Sequence, residues 1–120
     1  MMEEMLRNVI VGDLLEIYGS LLTKRQEKLM DLHYNQDLSL GEIAEQENIS
    51  RQAVHDALKR GEKSLKLFEE QLHVLANRRM IREKLPAVIE EISAWTLNEA
   101  EEAARAKIIM IFDQLIKEES

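Results

Sequence analysis

Cysteine is absent from this sequence, which excludes disulfides, thiolate zinc sites, iron–sulfur clusters and thiol nucleophiles and suits a reducing compartment. Aromatic residues make up only 4% of the chain, so any core must be aliphatic. One proline and four glycines leave little to interrupt helices. No stretch approaches the ~18 consecutive apolar residues of a membrane span. The first residues, Met1-Met2-Glu3-Glu4, are acidic where a secretory signal would be basic. The expectation is a cytoplasmic protein with no membrane insertion. The sequence also lacks a glycine-rich phosphate loop, a Gly-x-Ser-x-Gly elbow and a Ser-x-x-Lys motif. His33, His55 and His73 are scattered, without the His-Glu-x-x-His spacing of a zinc site. The acidic pairs, such as Glu90-Glu91, suit solvated helix faces. These absences point to a non-enzymatic protein without metal or cofactor.

What is present is a globular composition, 45% hydrophobic and 32% charged, with a net charge of −7. A pI near 5.0 is adverse for binding nucleic acid, since such binding draws largely on lysine and arginine contacts to phosphate. Apolar residues recur at helical spacing over Met5–Leu22. Thr23 with Gln26 reads as a capping box opening a second helix to about Tyr34. Asn35-Gln36-Asp37 reads as a turn. Ser39 with Glu42 opens a short helix ending near Gln46, and Ser50 caps a longer one that runs on beyond Gly61 into the 70s, with a bend expected at the glycine. Arg78–Lys84 reads as a charged junction, and Pro86 as the first turn of a new helix carrying Val88, Ile89, Ile92 and Trp95. Asn98 with Glu101 opens the last helix. The fold class is all-α, with residues 1–76 as one helical domain and 77–120 as a C-terminal helical extension for assembly or partner binding.

Residues 40–60 satisfy the demands of a helix-turn-helix. Ala44 is the small residue where the second helix crosses the first. Asn48 tolerates a left-handed turn. Ile49 plugs the core beneath that turn, Ser50 caps the second helix, and Ile43, Val54, Ala57 and Leu58 face inward. An ordinary helical hairpin shares the apolar spacing but does not require the other residues.

The outward face of the second helix carries Arg51, Gln52, His55 and Lys59. In a DNA-reading helix-turn-helix, the N-terminal residues of this helix meet base edges. Arg51 suits guanine, Gln52 suits adenine, and Lys59 and Arg60 suit phosphate. Ser50, Arg51, Gln52, His55, Lys59 and Arg60 are therefore the candidate nucleic-acid contacts. Against this, Leu40–Lys66 holds five basic residues and five acidic ones, leaving no net charge. Asp56 and Glu62 are expected to repel phosphate, and a merely solvated polar face remains the alternative.

Leu38-Ser39-Leu40-Gly41-Glu42-Ile43-Ala44-Glu45, followed by Ile49-Ser50-Arg51-Gln52-Ala53-Val54, resembles region 4 of the sigma-70 family. With Tyr18–Gln26 before it and His55–Leu65 after it, the stretch from Leu14 to His73 resembles the YlxM family more narrowly. Those are small helix-turn-helix proteins encoded beside the signal recognition particle genes in Gram-positive bacteria. The resemblance implies an all-helical, cytoplasmic, dimeric protein with a regulatory part in the signal recognition particle pathway. Places that sigma region 4 tends to fill with basic or neutral residues are held here by His55, Asp56, Ala57 and Glu62. The resemblance thus leaves open contacts with protein or RNA in place of promoter DNA.

In Ile108-Ile109-Met110-Ile111-Phe112 the apolar side chains surround nearly the whole helix, which must then be buried on most sides. A central helix of the chain's own core would satisfy this. A homodimer interface of Ile108, Ile111, Phe112 and Leu115 is favoured, because the first helix and Trp95 also need cover. From Leu67 onward eleven residues are acidic and seven basic, an acidic arm for assembly. Three functions follow. The first is a regulator in the signal recognition particle pathway touching its RNA or protein. The second is a DNA-binding transcriptional regulator on a palindromic site. The third is a protein-binding adaptor with the helix-turn-helix as scaffold.

Overall fold

A computed structural model describes residues 2–118, and these form helices and turns. Helix α1 (Met2–Tyr18) is followed by a 3₁₀ turn, Gly19–Leu21. Then come α2 (Lys24–Tyr34), α3 (Leu40–Glu47), α4 (Arg51–Leu72), α5 (Val74–Ser93) and α6 (Glu99–Glu118). The chain divides into two compact units between Leu75 and Ala76.

In the first unit, α1, α2 and α3 all pack on α4. Its core is aliphatic apart from Tyr18 and comprises Val11, Leu14, Leu15, Leu29, Met30, Ile43, Val54, Leu58 and Leu65 among others. The capping residues act as their types require. Thr23 Oγ1 accepts from the amide of Gln26 at 3.1 Å, while the Gln26 side chain accepts from the amide of Thr23 at 3.3 Å. Ser39 and Glu42 make the same reciprocal pair at 3.1 and 3.0 Å. These bonds occupy amides that a helix start leaves without an intrahelical acceptor.

Two boundaries differ from the sequence expectation, at the end of the first helix and around Pro86. The first helix ends at Tyr18, not Leu22, because the chain tightens into the 3₁₀ turn at Gly19. Helix α4 runs on past Gly61 to Leu72, as the sequence indicates; the missing side chain admits Met30, whose Sδ would lie 2.8 Å from a Cβ there. The real break comes at His73, which takes a left-handed conformation with φ 55°. The Arg78–Lys84 run is the interior of α5, and Pro86 lies inside that helix rather than opening one.

The start of α5 is held from within the first unit. Tyr18, buried at 2% exposure, donates its hydroxyl to Glu69 Oε1 at 2.7 Å and accepts from the amide of Val74 at 3.2 Å. Glu69 Oε1 also accepts from the amide of Leu75 at 3.0 Å. A buried hydroxyl and a carboxylate thereby cap the first turn of α5, which has no Ser, Thr, Asp or Asn before it to do so.

The second unit is a helical hairpin. Asn98 and Glu101 form the expected reciprocal cap at the start of α6, at 2.9 and 3.1 Å. Arg105 Nη1 closes the end of α5 by donating to the carbonyls of Ile92 and Trp95 at 3.2 and 2.6 Å. Half-buried side chains line one face of each helix: Ile81, Leu85, Ile89 and Ile92 on α5, and Ile109, Phe112 and Ile116 on α6. No described residue from Ala76 onward is fully buried.

Candidate nucleic-acid interface

Helices α3 and α4 and the turn between them build the candidate site. Asn48 closes α3 with φ 56° and ψ 47°, the left-handed conformation expected of it. Its strain is offset by backbone bonds: the amide of Asn48 donates to Glu45 O at 3.4 Å and that of Ile49 to Ala44 O at 3.0 Å. Ser50 then caps α4, its Oγ accepting from the amide of Ala53 at 3.0 Å. Ile43, Ala44, Val54 and Leu58 are buried, and Ile49 and Ala57 pack against them half-buried. With those side chains turned inward, the 100° step of a helix leaves Arg51, Gln52, His55, Lys59 and Arg60 outward, and all are exposed together with Ser50.

Gly41 takes part as well. A Cβ there would lie 2.9 Å from Arg51 Nη2, so the guanidinium of Arg51 rests against the first turn of α3. Arg60 lines a groove of about 480 Å³ with Ala53, Asp56 and Ala57 of its own helix, with Arg25 and Gln26 of α2 and with Thr23, which caps α2. Arg25 is a basic residue that the sequence reading did not attach to this face. The signal was its place two residues after a helix cap, but only the packing of α2 on α4 brings it beside Arg60. Among the described residues Arg25, Arg51, Lys59 and Arg60 have no ion-pair partner.

The acidic residues are distributed differently from the expectation. Glu62 does not face outward beside the reading helix. Its side chain is only 14% exposed; Oε2 pairs with Arg7 Nη2 of α1 at 3.3 Å, and Oε1 accepts from the Tyr34 hydroxyl. Burial, with help from that bond, pushes the Tyr34 hydroxyl well above the usual tyrosine range. Glu47 pairs with Lys28 of α2 at 3.1 Å. Glu42 is committed to the Ser39 cap, whose hydrogen bonds hold its carboxyl below the ordinary value. Asp56, the single carboxylate of residues 51–60, stays on the outward face, its side chain 50% exposed. It accepts from Gln52 Nε2 at 2.9 Å and lies 3.5 Å from His55 Nδ1.

In the second unit, Ile108, Ile111 and Leu115 lie on one stripe of α6 and are 46%, 57% and 42% exposed. Phe112 sits at the edge of that stripe, half-buried with Ile109 and Ile116. The expected burial of this segment is thus not met within the chain.

The UPF0122 family, described as "Putative helix-turn-helix protein, YlxM / p13 like", matches residues 5–108. A UPF0122 protein of Desulforamulus reducens is 47% identical over 87 residues, covering 72% of this chain and 74% of its own. One of Clostridium kluyveri is 45% identical over 93 residues, covering 78% and 81%. One of Lactococcus lactis subsp. cremoris is 51% identical over 67 residues, covering 56% and 60%.

Proposed function

We propose that this chain, which belongs to the UPF0122 family of helix-turn-helix proteins, is a non-enzymatic regulator that holds nucleic acid against the outward face of α4. The observation that carries this reading is the set of cations without ion-pair partners among the described residues, Arg51, Lys59 and Arg60 with Arg25 beside them. Glu62, counted against the face in sequence, is turned inward and occupied by Arg7 and Tyr34. The net charge of −7 belongs largely to surfaces elsewhere, so the local field and not the total decides what α4 meets. Arg51 and Gln52 would meet base edges, His55 and Ser50 would support them, and Lys59 and Arg60 would hold phosphate.

The regulator acts in this reading within the signal recognition particle pathway, on the resemblance of Leu14–His73 to the YlxM family. It works as a homodimer joined through α6. A hairpin of two helices with no fully buried residue cannot supply a core of its own. The stripe of Ile108, Ile111 and Leu115, with Phe112 at its edge, suits a two-fold interface. A second reading is favoured by the same face on a symmetric pair: a transcriptional regulator on a palindromic DNA site.

Titration of the full chain with labelled particle RNA and with duplex DNA over a salt series tests the reading. Binding carried by these cations weakens steeply as salt rises, and each lysine or arginine removed lowers the salt slope by about 1. Lys59→Ala should show that change on the preferred nucleic acid. Tighter RNA binding favours the pathway reading and tighter DNA binding the second one. Binding indifferent to salt and to Lys59 would leave only the adaptor.

A further inference from the structure

The α4 face contains its own obstacle. Asp56 is the sole carboxylate among residues 51–60, and its Oδ1 is the atom approached both by Gln52 Nε2, at 2.9 Å, and by His55 Nδ1, at 3.5 Å. Gln52, one of the side chains placed to meet a nucleic acid, is therefore engaged one turn away on its own helix, with the His55 ring beside the same carboxylate. Gln52 and Asp56 are four residues apart, the spacing at which a glutamine and a carboxylate stabilise a helix. The carboxylate also borders the groove that Arg25 and Arg60 line, where it opposes an incoming phosphate.

We propose that Asp56 gates this face: it ties Gln52 back along its own helix and repels phosphate, holding the affinity of α4 for nucleic acid low. The gate rests on the nucleic-acid reading of α4 given above. Opening it requires only a side-chain rotation, since Asp56 is exposed and packs no core. A partner that supplies a cation to Asp56 would release Gln52. One carboxylate thus sets whether the face binds polyanions unaided.

The test uses the full chain, a labelled mixed-sequence DNA duplex and a labelled RNA hairpin, read by fluorescence anisotropy at fixed low salt. Asp56→Asn removes the charge and keeps an acceptor for Gln52, whereas Asp56→Ala removes both. Both variants should bind about three- to tenfold more tightly, the effect of deleting one like charge close to phosphate in water. Asp56→Ala should gain the more and should also shift the Gln52 side-chain amide resonances of the free protein. Glu70→Gln, the same charge change on an exposed position of the same helix, should stay near the parent. Adding Arg51→Ala to Asp56→Ala should cancel the gain. If Arg51→Ala weakens the parent but the Asp56 variants bind no tighter than Glu70→Gln, the gate is wrong and the reading of α4 stands. If Arg51→Ala changes binding in no background, the reading of α4 fails, and the gate with it.

Discussion

Gly61 lies in the middle of a 22-residue helix, where glycine ordinarily costs about 1 kcal/mol relative to alanine. It is tolerated because Met30, at 0% exposure, fills the space a Cβ would take, with Sδ, Cγ and Cε all within 3.3 Å of that position. Gly61→Ala should therefore destabilise the protein by ~1 kcal/mol, an overpacking cost of about 1–3 kcal/mol outweighing the gain in helix propensity. Pairing it with Met30→Leu, which shortens the chain at the clash, should recover part of the loss. Urea unfolding followed by circular dichroism decides this; a Gly61→Ala protein more stable than the parent would show that Met30 simply moves aside. Asn48 makes the complementary point, because its short polar side chain permits a left-handed φ of 56° that most residues resist. Asn48→Ala should cost about 1 kcal/mol and Asn48→Gly much less, compared in the same assay. The Asn48 turn was readable in the sequence from the motif around it. The role of Gly61 was not, because Met30 lies 31 positions earlier and meets it only when α2 packs on α4.

At the scale of the element, the start of α3 and the end of α2 are held by local chemistry, and this makes their stability depend on acid. The Ser39 backbone and hydroxyl bonds hold the Glu42 carboxyl below its ordinary value of 4.5, and Asn35 and Gln36 hold Asp31 below 3.8. The folded chain therefore favours both carboxylates in charged form. Their contribution is present above those ordinary values and is lost as the pH falls through the lowered folded ones. Glu42→Gln keeps the shape of the capping box and removes the charge, so it should flatten the acid limb of a stability-against-pH curve measured by thermal melting. An acid limb unchanged by that substitution would assign the loss to other carboxylates. Ser39→Ala should cost about 1 kcal/mol at neutral pH. Where caps are local they were legible: Thr23, Ser39, Ser50 and Asn98 all stand where the pattern places them. The start of α5 was not, since its cap comes from Tyr18 and Glu69, one of them 56 residues away from the amide it serves.

At the scale of the whole molecule, apolar surface remains to be covered. α1 carries two apolar faces. Val11, Leu14, Leu15 and Tyr18 enter the core, and Met2, Met5, Leu6 and Val9 lie on the opposite side, each more than half exposed. α6 presents Ile108, Ile111 and Leu115 outward. Such stripes on small helical units are what association buries. If α6 joins the proposed homodimer, Ile111→Glu with Leu115→Glu should leave a monomer, or unfold the hairpin, as seen by light scattering and circular dichroism. An unchanged dimer mass would remove α6 from the interface. Met5→Glu with Val9→Glu tests the α1 stripe separately: if it takes no part in assembly, neither mass nor melting temperature moves.

The sequence by itself determined the all-helical class, the local caps at Thr23, Ser39, Ser50 and Asn98 and the helix-turn-helix, because these depend on periodicity and on bonds made within a few residues. It also determined the residues that α4 turns outward, since the buried set fixes the helix rotation. Only the tertiary structure decided how the charges are spent. A count of charges along the chain treats Asp56 and Glu62 alike. Folding brings Arg7 and Tyr34 to Glu62, from 55 and 28 residues away, and leaves Asp56 on the outer surface with Gln52 and His55. Whether a carboxylate opposes a phosphate depends on where its side chain points and what neutralises it. Those are properties of packing between elements, which no local pattern records.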